Sequence, residues 1–289
     1  EVPGSSTRRT FTQESDLWAV FFEATWNVSE RVRLTFGGRY TDETKKASRR
    51  QFHVDNAGNE DSAPSVTGLL QSVYGVFLIE EYPTISGTVE DKAFLPRLVG
   101  QWDVAEDAMV YASYSEGFKA SGFDVRSNAS PNPADGLPGL DGVFGFGPED
   151  ARAYELGTKL MLLDNSLAAN IALYRTEYTD LQVSQFDGVL GFNVLNAAEA
   201  TVQGLEFDGR WQAADDLYFV ANFAYLDFEF DSFADSQCDF FRTYPVTDPA
   251  RGLCDVSGQR REFTPEFSGS VSGYHTLHLP GDLRLTTNL

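Results

Sequence analysis

Two glutamates carry the clearest chemical suggestion in the chain. Glu155 stands in Tyr154-Glu155-Leu156-Gly157-Thr158-Lys159 and Glu206 in Val202-Gln203-Gly204-Leu205-Glu206. Read as strands, the first segment sets Glu155, Gly157 and Lys159 opposite Tyr154, Leu156, Thr158, Leu160 and Leu162, and the second sets Gly204, Glu206, Asp208 and Arg210 opposite Leu205, Phe207 and Trp211. One further strand separates them, so the two carboxylates are expected roughly 10 Å apart on the same wall. Glycosidases use a pair of carboxylates about 5 to 9.5 Å apart, but no aromatic-lined cleft accompanies this pair, and the bland alternative is that both face water or the neighbouring Lys159 and Arg210. His53, His275 and His278 are too few for most chemistry, and the last two, three apart on a strand, point to opposite faces and make a poor metal pair. No serine has a histidine at legible spacing. Neither Cys238 nor Cys254 sits in a nucleophile motif. The expectation is therefore no enzyme and no catalytic, cofactor-binding or metal-ligating set. Cys238 and Cys254 share one polar stretch, where a disulfide would close a modest ring in an oxidising compartment; two free thiols are the alternative. Lys45, Lys46, Arg49 and Arg50 form a basic cluster that could attract anionic sugars or an anionic ligand, or simply balance nearby acids.

The elements that must position these residues are strands. In 16–26, Trp18, Val20, Phe22, Ala24 and Trp26 share one face; in 31–41, Val32, Leu34, Phe36, Gly38 and Tyr40 lie on one face and Arg31, Arg33, Thr35, Gly37, Arg39 and Thr41 on the other. Large apolar groups on one side and arginines on the other describe a sheet between two different solvents. The same pattern pairs 92–102 with 108–119, 151–162 with 167–185, 201–211 with 217–230, and 263–279 with 283–289, giving ten strands. The turns inside these pairs are short and rich in Asp, Asn, Ser, Gly or Pro. The connections between pairs, expected over 43–89, 120–150, 186–200 and 231–262, are far longer. In an antiparallel meander this alternation places short turns at one end and long connections at the other. Membrane barrels have that asymmetry, whereas a soluble sandwich has no reason to sort its connections by length. Within the first long connection the apolar run 74–79 is expected as an extra hairpin or a short helix over the mouth; in the second, 132–147, rich in Pro and Gly, is expected as a mobile loop.

Bulk properties agree. The 289 residues carry 22 Lys and Arg against 43 Asp and Glu, a formal charge of −21 that repels nucleic acid. No apolar run reaches the roughly 18 residues of a helical span, so a membrane would be crossed by strands. The 23 Phe and 12 Tyr suit strands and aromatic girdles. Residues 1–10 are polar, so a signal peptide is expected to have been removed or to lie outside the sequence.

From Phe94 onward the chain resembles TonB-dependent outer-membrane receptors of the iron-complex type. The resemblance is carried, in order, by Phe94-Leu95-Pro96-Arg97, by Tyr111-Ala112-Ser113-Tyr114-Ser115-Glu116-Gly117-Phe118-Lys119-Ala120-Ser121-Gly122-Phe123, by the segments around Glu155 and Glu206 quoted above, and by 196–200. It implies an all-β fold, an antiparallel transmembrane β-barrel segment of about ten of 22 strands. Residues 1–289 would be a slice of the barrel, with the plug domain, the TonB-contact segment and the C-terminal strands outside it, so that the slice alone transports nothing. It also implies an outer-membrane location, a TonB complex reached through the missing plug, and contact with membrane lipid and lipopolysaccharide. The cargo would be a scarce ligand, foremost a ferric siderophore, with vitamin, haem or oligosaccharide import open. Glu155 and Glu206 would meet plug arginines. Two rivals remain: a complete ten-stranded outer-membrane adhesin or protease, in which strand ten closes on strand one, and a secreted carbohydrate-binding β-sandwich, in which Trp18, Phe22, Leu205 and Phe207 tuck between two sheets.

Overall fold

The computed structural model describes residues 5–55, 57–60, 82–126, 144–186, 192–234, 236–237 and 253–288. Strand follows strand: β1 (Ser5–Asn27), β2 (Val32–Asp55), β3 (Tyr82–Ala105), β4 (Ala108–Lys119), β5 (Gly122–Phe123), β6 (Gly145–Phe146), β7 (Glu149–Leu162), β8 (Leu167–Phe186), β9 (Phe192–Ala214), β10 (Leu217–Ser232), β11 (Ser236–Gln237), β12 (Leu253–Cys254), β13 (Phe267–Leu279) and β14 (Leu283–Asn288). Ten of them form one antiparallel sheet in the order β1-β2-β3-β4-β7-β8-β9-β10-β13-β14. Each strand lies beside its sequence neighbours in the sheet, so the ten expected strands and their hairpin pairing are all present.

Turn chemistry fixes the short end. At the β13–β14 turn, Gly281 and Asp282 take left-handed backbone at φ 81° and 58°, which matches the right-handed twist of the flanking strands. The β7–β8 turn sets Leu163, Asp164 and Asn165 all at positive φ, two of the three being residue types that tolerate it. Two of the expected turns shrink: β3 runs on to Ala105 and β9 to Ala214, leaving 106–107 and 215–216.

The other end departs more from expectation. β2 continues to Asp55 and β3 begins at Tyr82, so much of the expected 43–89 connection is strand. The expected connection 186–200 falls mostly within β9, which starts at Phe192. Strands this long exceed the roughly 9–11 residues that cross a bilayer, so the sheet continues past the apolar band as a polar wall. The start of the last hairpin also moves: Phe263 is fully exposed at positive φ, and β13 begins at Phe267. The run 74–79 lies outside the described residues. Of 132–147, only 144–147 are described, and they are not loose: Phe144 is buried and Gly145–Phe146 form β6 against β5.

Burial explains what the two faces contact. Trp18, Phe22, Trp26, Phe94, Leu98, Trp102, Leu156, Leu173 and Val271 are exposed on one face, and Leu205 and Phe207 on the same face are half-buried only by their neighbours in the sheet. This band crosses all the strands, far beyond the few hundred Å² of contiguous apolar surface that a soluble monomer shows. No second sheet covers it among the described residues, which removes the sandwich. Nor do β1 and β14 pair with each other there, so the ten strands do not close on themselves as a complete small barrel would.

Candidate functional site

The polar face is built from the alternate positions. Cross-strand register places Gln101, Tyr111, Gly157, Ala172, Glu206, Ala224 and Ser268 in one row, and Val99, Ser113, Glu155, Tyr174, Gly204 and Leu226 in the next. Tyrosine therefore precedes glycine along both rows. A Cβ at Gly157 would overlap the ring of Tyr111, and one at Gly204 would overlap the hydroxyl of Tyr174, so each glycine is the space into which its neighbouring ring folds. The Tyr111 hydroxyl donates to Glu155. Glu206, exposed and one row away, accepts no hydrogen bond among the described residues, although it faces Tyr111 and Tyr174 closely enough to act on both electrostatically.

The two glutamates are thus on one wall, as the alternation predicts, but are offset by one row. Two strand spacings and two residue rises separate their backbones by about 12 Å, outside the glycosidase range, and Glu155 is held by a tyrosine. An acid/base dyad has no support here. Most other charges on this wall are locally satisfied. Arg33 makes a forked pair with Asp103 at 2.5 and 2.8 Å, Arg97 meets Glu23 at 2.7 Å, and Arg210 lies over the Tyr218 ring at 4.8 Å. His278 pairs with Asp216, whereas His275 faces the apolar side, so the histidines do not converge. No metal-holding cluster occurs among the described residues.

Towards the long end the β4–β7 hairpin turns inward. Residues 120–126 and 144–148 fold onto the polar face, where Phe123 and Phe144 pack on Ala47 with Phe11, Ile85 and Val89 around them. A second inward cluster, Leu181, Ala198, Ala200, Phe228, Phe230 and Phe233, lies beside β11 and β12. The basic cluster of 45–50 is split by strand alternation. Lys46 and Arg50 point outward, Arg50 to Glu60, while Lys45 and Arg49 point inward and grip the carbonyls of Ser121 and Asp124.

Cys254 is buried and no described cysteine is free; Cys238 lies outside the described residues, so its pairing stays a proposal. Sequence reasoning missed Tyr111, Tyr174, Asp124, Gln182 and Asn196. The first two carried a signal, an aromatic on the polar face directly opposite a glycine of the adjacent strand, whereas the others depend on an inward fold that periodicity does not encode.

A family described as TonB dependent receptor-like, beta-barrel, matches residues 2–288. The pesticin receptor of Yersinia enterocolitica is 26% identical over 212 residues, 73% of this chain and 25% of that protein. A probable TonB-dependent siderophore receptor, PiuA, of Acinetobacter baumannii is 37% identical over 82 residues, 28% of this chain and 10% of that protein. The chain spans about a quarter of the length of the pesticin receptors it matches. In fold it is similar to the ferric yersiniabactin uptake receptor of Yersinia pestis, with TM-score 0.64, 18% identity, and 95% of this chain and 33% of that one covered. It is similar also to the PiuA structure, with TM-score 0.59, 17% identity, and 92% and 32% covered. With an exposed apolar band outside, a polar wall inside and a family match along almost its whole length, the chain belongs to the TonB-dependent receptor β-barrel family of the outer membrane.

Proposed function

We propose that this chain forms part of the barrel wall of a receptor that imports a ferric siderophore across the outer membrane with energy delivered by the TonB complex. The observation that carries the reading is Glu206, exposed and accepting no hydrogen bond among the described residues, beside the tyrosine-held Glu155 on the inner wall. A carboxylate facing the lumen at this height is available for a forked, charge-assisted bond from an arginine of a plug supplied by sequence outside this chain. Such a bond fixes the plug in register and can be broken and remade when the plug is pulled. The name of one relative, a probable TonB-dependent siderophore receptor, supports iron chelates as the cargo class.

The test uses the full-length receptor in a host lacking its own uptake route. Under iron limitation, ferric yersiniabactin should restore growth only when TonB is present. The double variant Glu155→Gln with Glu206→Gln should change the uptake rate by about tenfold or more while the barrel still assembles, read as heat-modifiable migration. Unchanged uptake in that variant removes the plug-contact role; growth without TonB removes the energised-import reading.

A further inference from the structure

We infer that Arg49 and Asp124 are positioning residues of the ligand vestibule, holding residues 120–126 and 144–148, which fold inward between β4 and β7, as a fixed rim of the barrel mouth rather than leaving them to move when ligand binds. The inference rests on the receptor reading above. Asp124, 3% exposed, joins walls that are far apart in the sheet order. Its carbonyl accepts from the Arg49 guanidinium on β2 at 2.9 Å, and its carboxylate accepts from the Val194 amide on β9 at 2.9 Å and from the Arg126 amide at 2.7 Å. Arg49 is fully buried, with its guanidinium 5.2 Å from the Phe144 ring centroid and 5.5 Å from that of Tyr82. A charge without water needs such partners, so the rim cannot swing away without exposing Phe144 and breaking the Arg49 contacts together.

The remaining anchors come from both walls. Arg9 donates to the carbonyls of Val125 and Arg126 at 3.0 and 2.9 Å, Lys45 to that of Ser121 at 2.8 Å, and Asp91 accepts from the amide and hydroxyl of Ser121. On the far side the β8 bulge, with Asp180 at φ 54°, presents Gln182 to the rim, and Asn196 stands opposite it on β9. Gln182 donates to the carbonyls of Ala120 and Gly147, and Asn196 both accepts from the Gly147 amide at 2.6 Å and donates to the carbonyls of Gly147 and Pro148. Backbone acceptors held by one buried arginine and by half-buried side chains on two walls describe a tie, not a flap.

Hydrogen exchange on the full-length receptor tests this. In the wild type, amides of 122–126 and 145–147 should exchange as slowly as the neighbouring strands and be unaltered by saturating ferric yersiniabactin. Asp124→Ala and Arg49→Ala should each speed their exchange by at least about tenfold, leave exchange in the lower half of β9 and β10 unchanged, and weaken ferric yersiniabactin binding by about tenfold. Rapid exchange of the rim in the wild type, a ligand-dependent change there, or loosened variants that bind the chelate as tightly as wild type would each overturn the proposal. A wild type that binds no chelate but shows the slow rim, loosened by both substitutions, would count against the cargo reading and leave the fixed rim standing.

Discussion

Gly204 shows how one missing side chain shapes the inner wall. A Cβ there would meet the carbonyl oxygen of Tyr225, which is backbone and cannot yield, as well as the Tyr174 hydroxyl. At Gly157 the obstacle is only the Tyr111 ring, which can swing at the cost of its bond to Glu155. Gly204→Ala is therefore expected to destabilise the barrel by about 1–3 kcal/mol, the range of overpacked sites, and Gly157→Ala by less. Urea titration of detergent-refolded full-length protein checks the order; equal losses would show that the ring, not the backbone, sets the limit. At the far end of β2, Asp55 accepts from the amides of Ala57 and Asn59 and from the Asn59 side chain. These bonds, that of the Asn59 side chain first, hold its carboxyl below the ordinary value. A depressed carboxyl contributes stability above its unfolded value of about 3.9, and that contribution fades as pH falls from there through the lower folded value. The turn should thus keep its exchange protection at pH 5 and lose it only below about pH 3.9, and Asp55→Ala should lack that protection at every pH.

Among the elements, the ten strands were legible because period two is a strong signal wherever one face meets an apolar medium. In 31–41 the large apolar groups and the arginines fall on opposite faces, and in 16–26 the face of Trp18, Val20, Phe22, Ala24 and Trp26 is apolar but for Asp16, although Leu17, Ala19 and Phe21 stand on the other face beside Glu23 and Thr25; the observed register, with Phe22 opposite Gly38 and Glu23 opposite Gly37, keeps the faces in phase. The polar extensions of β2, β3 and β9 were illegible for the same reason: beyond the apolar band both faces meet water or protein, so 43–55 and 192–200 read as connection although they are paired. Glu155 and Glu206 were found because charge on an alternating face is conspicuous. Asp124, Gln182 and Asn196 were not, since they act by accepting and donating to backbone that comes near only after the hairpin has turned inward. The β11–β12 pair matches Ser236 with Cys254, which brings the chain just before Cys238 beside the second cysteine. We propose a Cys238–Cys254 disulfide on this ground. Unreduced full-length receptor should take up no thiol-specific label at either position, and Cys254→Ser should expose Cys238 to labelling while the barrel still assembles; labelling of both cysteines without reductant would refute the pairing.

At the scale of the whole molecule, the buried hydrophobic clusters gather at the long-connection end, and the middle of the sheet has no protein core on either face among the described residues. A sheet of this kind is stable only if its environment supplies what is missing: hydrocarbon outside, and water or a plug inside. Transfer of apolar surface out of water is worth about 25 cal/mol per Å², and the outward band offers it from every strand. The most direct measurement is a nitroxide scan of residues 205–211 in the full-length receptor reconstituted in lipid, comparing collision with oxygen, which concentrates in the bilayer, and with a water-soluble nickel complex. The account predicts that labels at Leu205, Phe207, Gly209 and Trp211 meet oxygen, and that labels at Glu206, Asp208 and Arg210 are shielded from it. Loss of the two-residue period, or the opposite phase, would contradict the claim that the apolar face of these strands is wetted by lipid.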